Sequence, residues 1–283
     1  MMAAHSLELT GVSSGYSGKQ ILHNIELKIT EPSIYVVLGP NGAGKTTLFR
    51  TICGILEANP GSVEFDGQEV YNSSETRRRM IYMSHLNALP EEMTVRQSLN
   101  FFSEIEGDGD VNHVVEALRL EPLLDKKISD LSQGQKKRAS IAKVFLKDRD
   151  LYLLDEPTSN VDPKVSREVR EYLLDLARDK IVLYSSHNLY EAKEIGTYII
   201  LIKDGTIKFF DKIENMQRTR YRYGIKSPSD ISKIIDAEYS NGYYVVNLNA
   251  PEEAGTIVKQ LVEQGAAVTE MRELDNPLEE LFE

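Results

Sequence analysis

The chain has 283 residues, enough for one large domain and a smaller one, and 41% of them are hydrophobic, enough to bury a core. No run approaches the roughly 20 consecutive apolar residues a membrane helix needs, since the longest, Ile34 to Leu38 and Ile199 to Ile202, are strand-sized. The formal net charge of −11 argues against a nucleic-acid partner, because domains that bind nucleic acid usually carry a basic surface.

In chain order, Ser6 to Leu9 and Ile25 to Ile29 alternate polar and apolar residues, as half-buried strands do. Ser33 to Gly39 reads as a continuous buried strand, Lys45 to Leu56 as a helix, and Ser62 to Phe65 as a strand ending at the turn Asp66-Gly67. Cys53, the single cysteine, excludes an internal disulfide and reads as a small buried residue rather than a nucleophile. With no basic and apolar leader at the N-terminus, it points to a reducing, cytosolic compartment. From Met93 to Lys147 the pattern is helical throughout, with Thr94 as N-cap of Val95 to Ile105 and a break at Gly107-Asp108-Gly109.

Strand Leu151 to Leu154, helix Lys164 to Arg178, strand Ile181 to Ser185 and the pair Tyr198 to Lys203 and Thr206 to Phe210 follow. Strands alternating with helices predict an α/β fold with a mainly parallel sheet covered on both faces, and a helical insertion between about residues 90 and 147. Beyond residue 215 the pattern changes. Strand Arg220 to Ile225, helix Asp230 to Asp236, a hairpin from Glu238 to Leu248 around Asn241-Gly242, helix Glu252 to Gln264, strand Ala267 to Leu274 and a short helix Pro277 to Glu283 are expected. That β-α-β-β-α-β order suits a small ferredoxin-like α+β unit over 216–283, with no chemical motif of its own.

Four motifs carry the chemistry. Gly39-Pro40-Asn41-Gly42-Ala43-Gly44-Lys45-Thr46-Thr47 is a P-loop between a buried strand and a helix. Its glycines let backbone N–H groups point at phosphates over a helix N-terminus. Lys45 then neutralises the β- and γ-phosphates, and Thr46 offers its hydroxyl to Mg²⁺. Asp155 and Glu156 end an apolar strand at the edge where open α/β sheets bind ligands. Asp155 suits the holding of Mg²⁺ through water, and Glu156 suits a general base for the attacking water. Leu131-Ser132-Gln133-Gly134-Gln135 and Ser185-Ser186-His187 complete the set.

In this order the motifs resemble those of ATP-binding cassette (ABC) ATPases. The resemblance covers residues 1–215 and implies a P-loop NTPase fold with an antiparallel β subdomain and a helical insertion. It implies that Ser132, Gln133, Gly134 and Gln135 form the signature loop, closing in trans over ATP held by a second subunit. It likewise makes Asp162, in Pro157 to Asp162, a residue acting across the dimer. His187 takes the place of the switch histidine at the γ-phosphate, and Tyr16 that of the aromatic stacking on adenine. The sequence departs from the family pattern twice: Gln133 stands where the signature has Gly, and His85 where a Mg²⁺-ligating Gln stands. Imidazole is a poor Mg²⁺ ligand, so His85 points to slow or pH-dependent turnover.

Pro277-Leu278-Glu279-Glu280-Leu281-Phe282 is similar to the close of ATPase subunits of ABC-2-type exporters, which carry a small C-terminal domain. The expectation is therefore an ATP-hydrolysing subunit, peripheral on the cytoplasmic face of a membrane, energising a separate permease for export. It would homodimerise when ATP binds, and the permease would dock near His85 and Asn87 to Met93. The alternatives are a soluble ABC ATPase uncoupled from transport and a low-turnover nucleotide-gated module. The sequence names no cargo.

Overall fold

The structure is a computed structural model describing residues 5–84, 89–107, 109–159, 161, 163–215, 221–248, 250 and 252–274. The expectations placed on His85, on Asp162 and on the segment 277–283 lie outside the described residues. Two compact units divide the chain, 1–213 and 214–283.

The first unit opens with β1 (Leu7–Tyr16) and β2 (Lys19–Ile29), an antiparallel hairpin longer than the alternating segments predicted. Its turn at Ser17-Gly18 has positive φ at both residues, 49° and 80°, the two-residue turn that fits strand twist. Register shifts between Leu9 and Gly15 break the strict alternation on which the prediction rested. β3 (Ser33–Leu38) is buried at every position and runs into α1 (Lys45–Ile52). That helix is a turn shorter than predicted, because Gly54 adopts φ 71° just past its end and the chain leaves the helix there.

β4 (Ser62–Phe65), β5 (Gln68–Glu69), α2 (Ser74–Arg78) and β6 (Met80–Met83) follow. The predicted helical region resolves into α3 (Val95–Glu106), which ends at Gly107 where the break was expected, α4 (Val111–Ala117) and α5 (Gln133–Val144), with two short 3₁₀ turns between α4 and α5. Thr94 caps α3 in a reciprocal box with Gln97, as its sequence position indicates. β7 (Leu151–Asp155), α6 (Pro163–Leu176), β8 (Ile181–Ser186), α7 (Leu189–Ile195), β9 (Tyr198–Lys203) and β10 (Thr206–Lys212) complete the unit.

One sheet has the order β2-β1-β4-β5 and is antiparallel; the other has the order β10-β9-β3-β8-β7-β6. In the latter only β10 runs antiparallel to its neighbour. β3, β7 and β8 are buried along their whole length, as strands covered on both faces must be. Leu48, Phe49 and Ile52 of α1 join Leu7, Leu9, Leu22 and Ile25 of the antiparallel sheet and Val37, Leu151 and Leu183 of the parallel one in a single core. That core fixes the first helix after β3 at the carboxyl ends of the parallel strands, where the site lies.

The second unit comprises β11 (Tyr221–Lys226), β12 (Glu238–Ser240), β13 (Tyr243–Leu248), α8 (Glu253–Glu263) and β14 (Glu270–Glu273), in an antiparallel sheet of order β12-β13-β11-β14. This is the strand order of a ferredoxin-like sheet. The helix expected over Asp230 to Asp236 is absent and the chain turns there instead. Asp230 Oδ1 accepts from the Ser232 N–H at 3.0 Å and from its hydroxyl at 2.6 Å, drawing the backbone into a local turn. Ile231 and Ile235 still reach the core, which accounts for the helix-like spacing.

Candidate functional site: a phosphate cradle facing two carboxylates and a histidine

The loop between β3 and α1 is shaped by close approach. A Cβ on Gly39 would stand 2.3 Å from the Ile202 carbonyl oxygen, so only glycine fits there. Gly44 caps α1 at φ 110° without a side-chain bond, so the first N–H groups of the helix face the loop mouth. Lys45 is buried, and its Nζ donates to the carbonyls of Gly39 at 2.6 Å and Pro40 at 3.1 Å. Burial lowers the pKa of this ammonium, opposed by the charges of Glu156 and Asp155. The lysine thus stands ready to exchange carbonyl partners for a harder anion.

Opposite the loop, β7 ends in Asp155, which is 2% exposed. Its Oδ2 accepts from Thr46 Oγ1 at 2.7 Å and from Tyr82 OH at 3.3 Å. Burial, together with this carboxylate, pushes the Tyr82 phenol up to about 12. Asp155 Oδ1 accepts from Ser185 Oγ at 2.7 Å, and the same Oγ accepts from the Glu156 N–H at 2.9 Å. Glu156 itself adopts φ 48°, a left-handed conformation uncommon outside glycine. Its Oε1 lies 3.2 Å from His187 Nδ1, beyond the end of β8.

A cleft of about 950 Å³ joins these groups, lined by Tyr16, Asn41, Gly42 and Gly44 to Thr47 on one side and Asp155, Glu156 and Ser185 to Asn188 on the other. Gly39 and Pro40 contribute carbonyls to Lys45, and Ala43 is buried behind the loop, so these three shape the cradle without lining it. Tyr16 stands at the rim, its hydroxyl accepting from Arg50 at 3.0 Å. The Thr46 hydroxyl and the Asp155 carboxylate form an oxygen-only pair, the donor chemistry Mg²⁺ prefers. Among the described residues no cluster of three or more His, Cys, Asp or Glu could hold a metal alone.

Ser132, Gln133, Gly134 and Gln135 do not line this cleft. Ser132 instead caps α5: its Oγ accepts from the Gln135 N–H at 3.3 Å, while Gln135 Oε1 accepts from the Ser132 N–H at 3.1 Å. The segment is therefore held as an exposed helix N-terminus with its positive end outward.

Several residues escaped the sequence reading. Lys137 is 3% exposed, and burial lowers its pKa against the charges of Asp155 and Glu156. Its spacing with Ser140, Ile141 and Val144, all buried, marks it as part of the inward stripe of α5, a periodicity visible in the sequence. α7 was also missed, although Asn188 and Glu191 have cap spacing and Asn188 Oδ1 does accept from the N–H groups of Tyr190 and Glu191. Cys53 is inert by its surroundings, burial pushing its thiol up to about 11.

The sequence model of the ABC transporter family matches residues 22–159. The ABC transporter ATP-binding protein YdbJ of Bacillus subtilis (strain 168), described as uncharacterized, is 30% identical over 93% of this chain and 85% of its own length. The sn-glycerol-3-phosphate import ATP-binding protein UgpC of Paracoccus denitrificans (strain Pd 1222) is 33% identical over 70% of this chain, which spans 58% of UgpC. The dimeric structure of the ATP-binding cassette MJ0796 bound to ADP and Pi, 23% identical, superposes with a TM-score of 0.67 over 73% of this chain and 98% of the cassette, and so shares the fold. With its phosphate cradle, paired carboxylates and histidine in one cleft, the chain belongs to the ATP-binding, ATP-hydrolysing proteins of ABC transporters.

Proposed function

We propose that two copies of this chain close around ATP, hydrolyse it, and thereby drive a separate membrane permease. The observation that carries this reading is the convergence of Lys45, Thr46, Asp155, Glu156 and His187 on one cleft while Ser132 to Gln135 stand outside it. A signature segment turned away from its own cleft is available to a second copy. Among the described residues no helix is long and apolar enough to cross a membrane, in keeping with a permease on other chains.

In this reading the cradle N–H groups and Lys45 bind the phosphates, with Tyr16 against the base. Mg²⁺, held by Thr46 and through water by Asp155, would offset phosphate charge as the terminal bond breaks. Glu156 takes a proton from the attacking water, and His187 at 3.2 Å steadies that carboxylate and meets the γ-phosphate. Ser132 and Gly134 of the second copy place their helix N-terminus over the same phosphate. Closure on ATP and reopening after hydrolysis form the two-state change a permease reads. Asp162 belongs to the same dimer face by family resemblance, and His85 to the permease-facing loop.

The test is Glu156→Gln. Light scattering should show this variant dimerising only with Mg²⁺-ATP, while steady-state hydrolysis falls by about 100-fold or more. A variant that stays monomeric, or one that hydrolyses at the parent rate, would remove the two-copy engine. For direction, export is read from the likeness of the closing segment Pro277 to Phe282 to ABC-2-type exporter subunits, while the relative UgpC is named an import protein. Reconstitution with the co-purified permease decides this: cargo accumulating on the ATP side of the membrane would refute export.

A further inference from the structure

The cleft contains a carboxylate that the reaction does not use. Glu191, in the first turn of α7, lines the same cleft as Glu156 and His187. Its Oε1 accepts from Tyr184 OH at 2.6 Å and from the Thr158 hydroxyl; its Oε2 accepts from Ser186 Oγ at 2.6 Å. Thr158, Tyr184 and Ser186 are all buried. Thr158 and Tyr184 also contact each other through their hydroxyls. Burial of Tyr184, reinforced by this carboxylate, raises its phenol pKa well above the ordinary value, so it stays a donor.

The three donors come from two different segments. Thr158 is two residues past Glu156, in the turn that leaves β7. Tyr184 and Ser186 belong to the end of β8, and Ser186 directly precedes His187. On the far side of His187, Asn188 caps α7 and its N–H donates to Ser186 Oγ at 2.9 Å. Both chain neighbours of the histidine are thereby pinned, while its own side chain stays 61% exposed and reaches Glu156. Glu156, held in a left-handed conformation, needs a surrounding turn that enforces it, and the turn's second anchor is Thr158 on Glu191.

We propose that Glu191 is the positioning residue of the hydrolytic pair: one carboxylate that clamps the Glu156 turn and the His187 segment together and so sets their spacing. The inference rests on the reading of Glu156 and His187 as that pair. Misplacement of reacting groups by about 1 Å costs on the order of 100-fold in rate while leaving binding at the cradle intact. The described hydrogen bonds of Glu191 go to Thr158, Tyr184, Ser186 and the Asn188 cap, none to the cradle on β3 and α1. The clamp should therefore act on kcat and not on ATP affinity.

The experiment uses the full chain and measures Mg²⁺-ATP hydrolysis, the Kd of a fluorescent ATP analogue and the melting temperature. Glu191→Ala removes the acceptor that all three hydroxyls share, and kcat is expected to fall about tenfold or more with Kd within about twofold. Glu191→Gln keeps one carbonyl acceptor and should restore part of the rate. Tyr184→Phe removes one donor and provides a folded variant if Glu191→Ala does not fold; it should lower kcat by a smaller factor. In a His187→Ala background, Glu191→Ala should cost less than in the parent, because both act on the same step. An unchanged kcat in Glu191→Ala, or in Tyr184→Phe should the alanine variant not fold, overturns the clamp. So does a loss shared equally by kcat and affinity, or a full multiplicative effect in the double variant. If His187→Ala alone keeps the parent rate, the reading of the pair fails instead.

Discussion

Ser185 shows how much the site depends on a single hydroxyl. It is fully buried, and its Oγ donates to Asp155 Oδ1 while accepting from the N–H of Glu156. Replacement by alanine would leave one carboxylate oxygen and one backbone N–H without this partner in a place water hardly reaches. Stranding buried polar groups costs about 1–3 kcal/mol. Ser185→Ala should therefore lower the free energy of unfolding in urea by an amount in that range. Hydrolysis should fall as well, because the left-handed turn at Glu156 loses an anchor. A variant equal to the parent in both measurements would show that the bridge contributes to neither. The residue itself was in plain view, two positions before the histidine the motif singled out. Its bridging role was not, since no spacing rule reports that β7 and β8 would lie side by side with Asp155 paired to Ser185.

At the scale of elements, two helices carry the same device for different ends. α3 and α5 both begin with a reciprocal capping box, Thr94 with Gln97 and Ser132 with Gln135. Removal of either cap hydroxyl should cost about 1 kcal/mol of stability. Thr94→Ala should do only that. Ser132→Ala should also lower ATP hydrolysis if, as proposed, the same helix start faces the γ-phosphate held by the other copy in the closed dimer. Equal hydrolysis in the two variants would place the signature role elsewhere. The Thr94 cap, the turns at Asp204-Gly205 and Asn241-Gly242, and the buried runs of β3, β7 and β8 were legible because each is a local rule written in adjacent residues, whereas the Ser132 cap went unread. The phosphate cradle and the acidic pair were legible for the same reason. What escaped was decided at a distance or against a pattern. The 230–236 turn won over helical spacing through the Asp230 side chain, and the bulged hairpin of β1 and β2 hid its alternation. Lys137 sits on a stripe whose spacing is legible, but that its charge is felt by Asp155 and Glu156 emerges only once α5 is packed.

For the whole molecule, the two units have separate cores. That of residues 1–213 runs from both sheets through α1, and that of residues 214–283 gathers Ile225, Ile231, Ile235, Val246, Leu248 and Leu261. Every described side chain of the nucleotide cleft belongs to the first unit. A chain ending at Ile213 loses no partner from that core cluster, so it should fold cooperatively and bind ATP within about threefold of the parent, as expected of a domain with its own core. The informative comparison is then dimerisation, measured with Glu156→Gln present in both chains. If the second unit stabilises the closed pair, the truncated protein should need more protein or more ATP to dimerise while its affinity for ATP as a monomer stays unchanged, since a term present only in the dimer enters only that equilibrium. Identical dimerisation curves would free the second unit from this role and leave it to contacts with the permease. A truncated chain that fails to bind ATP at all would show that the cores, though distinct, do not fold apart.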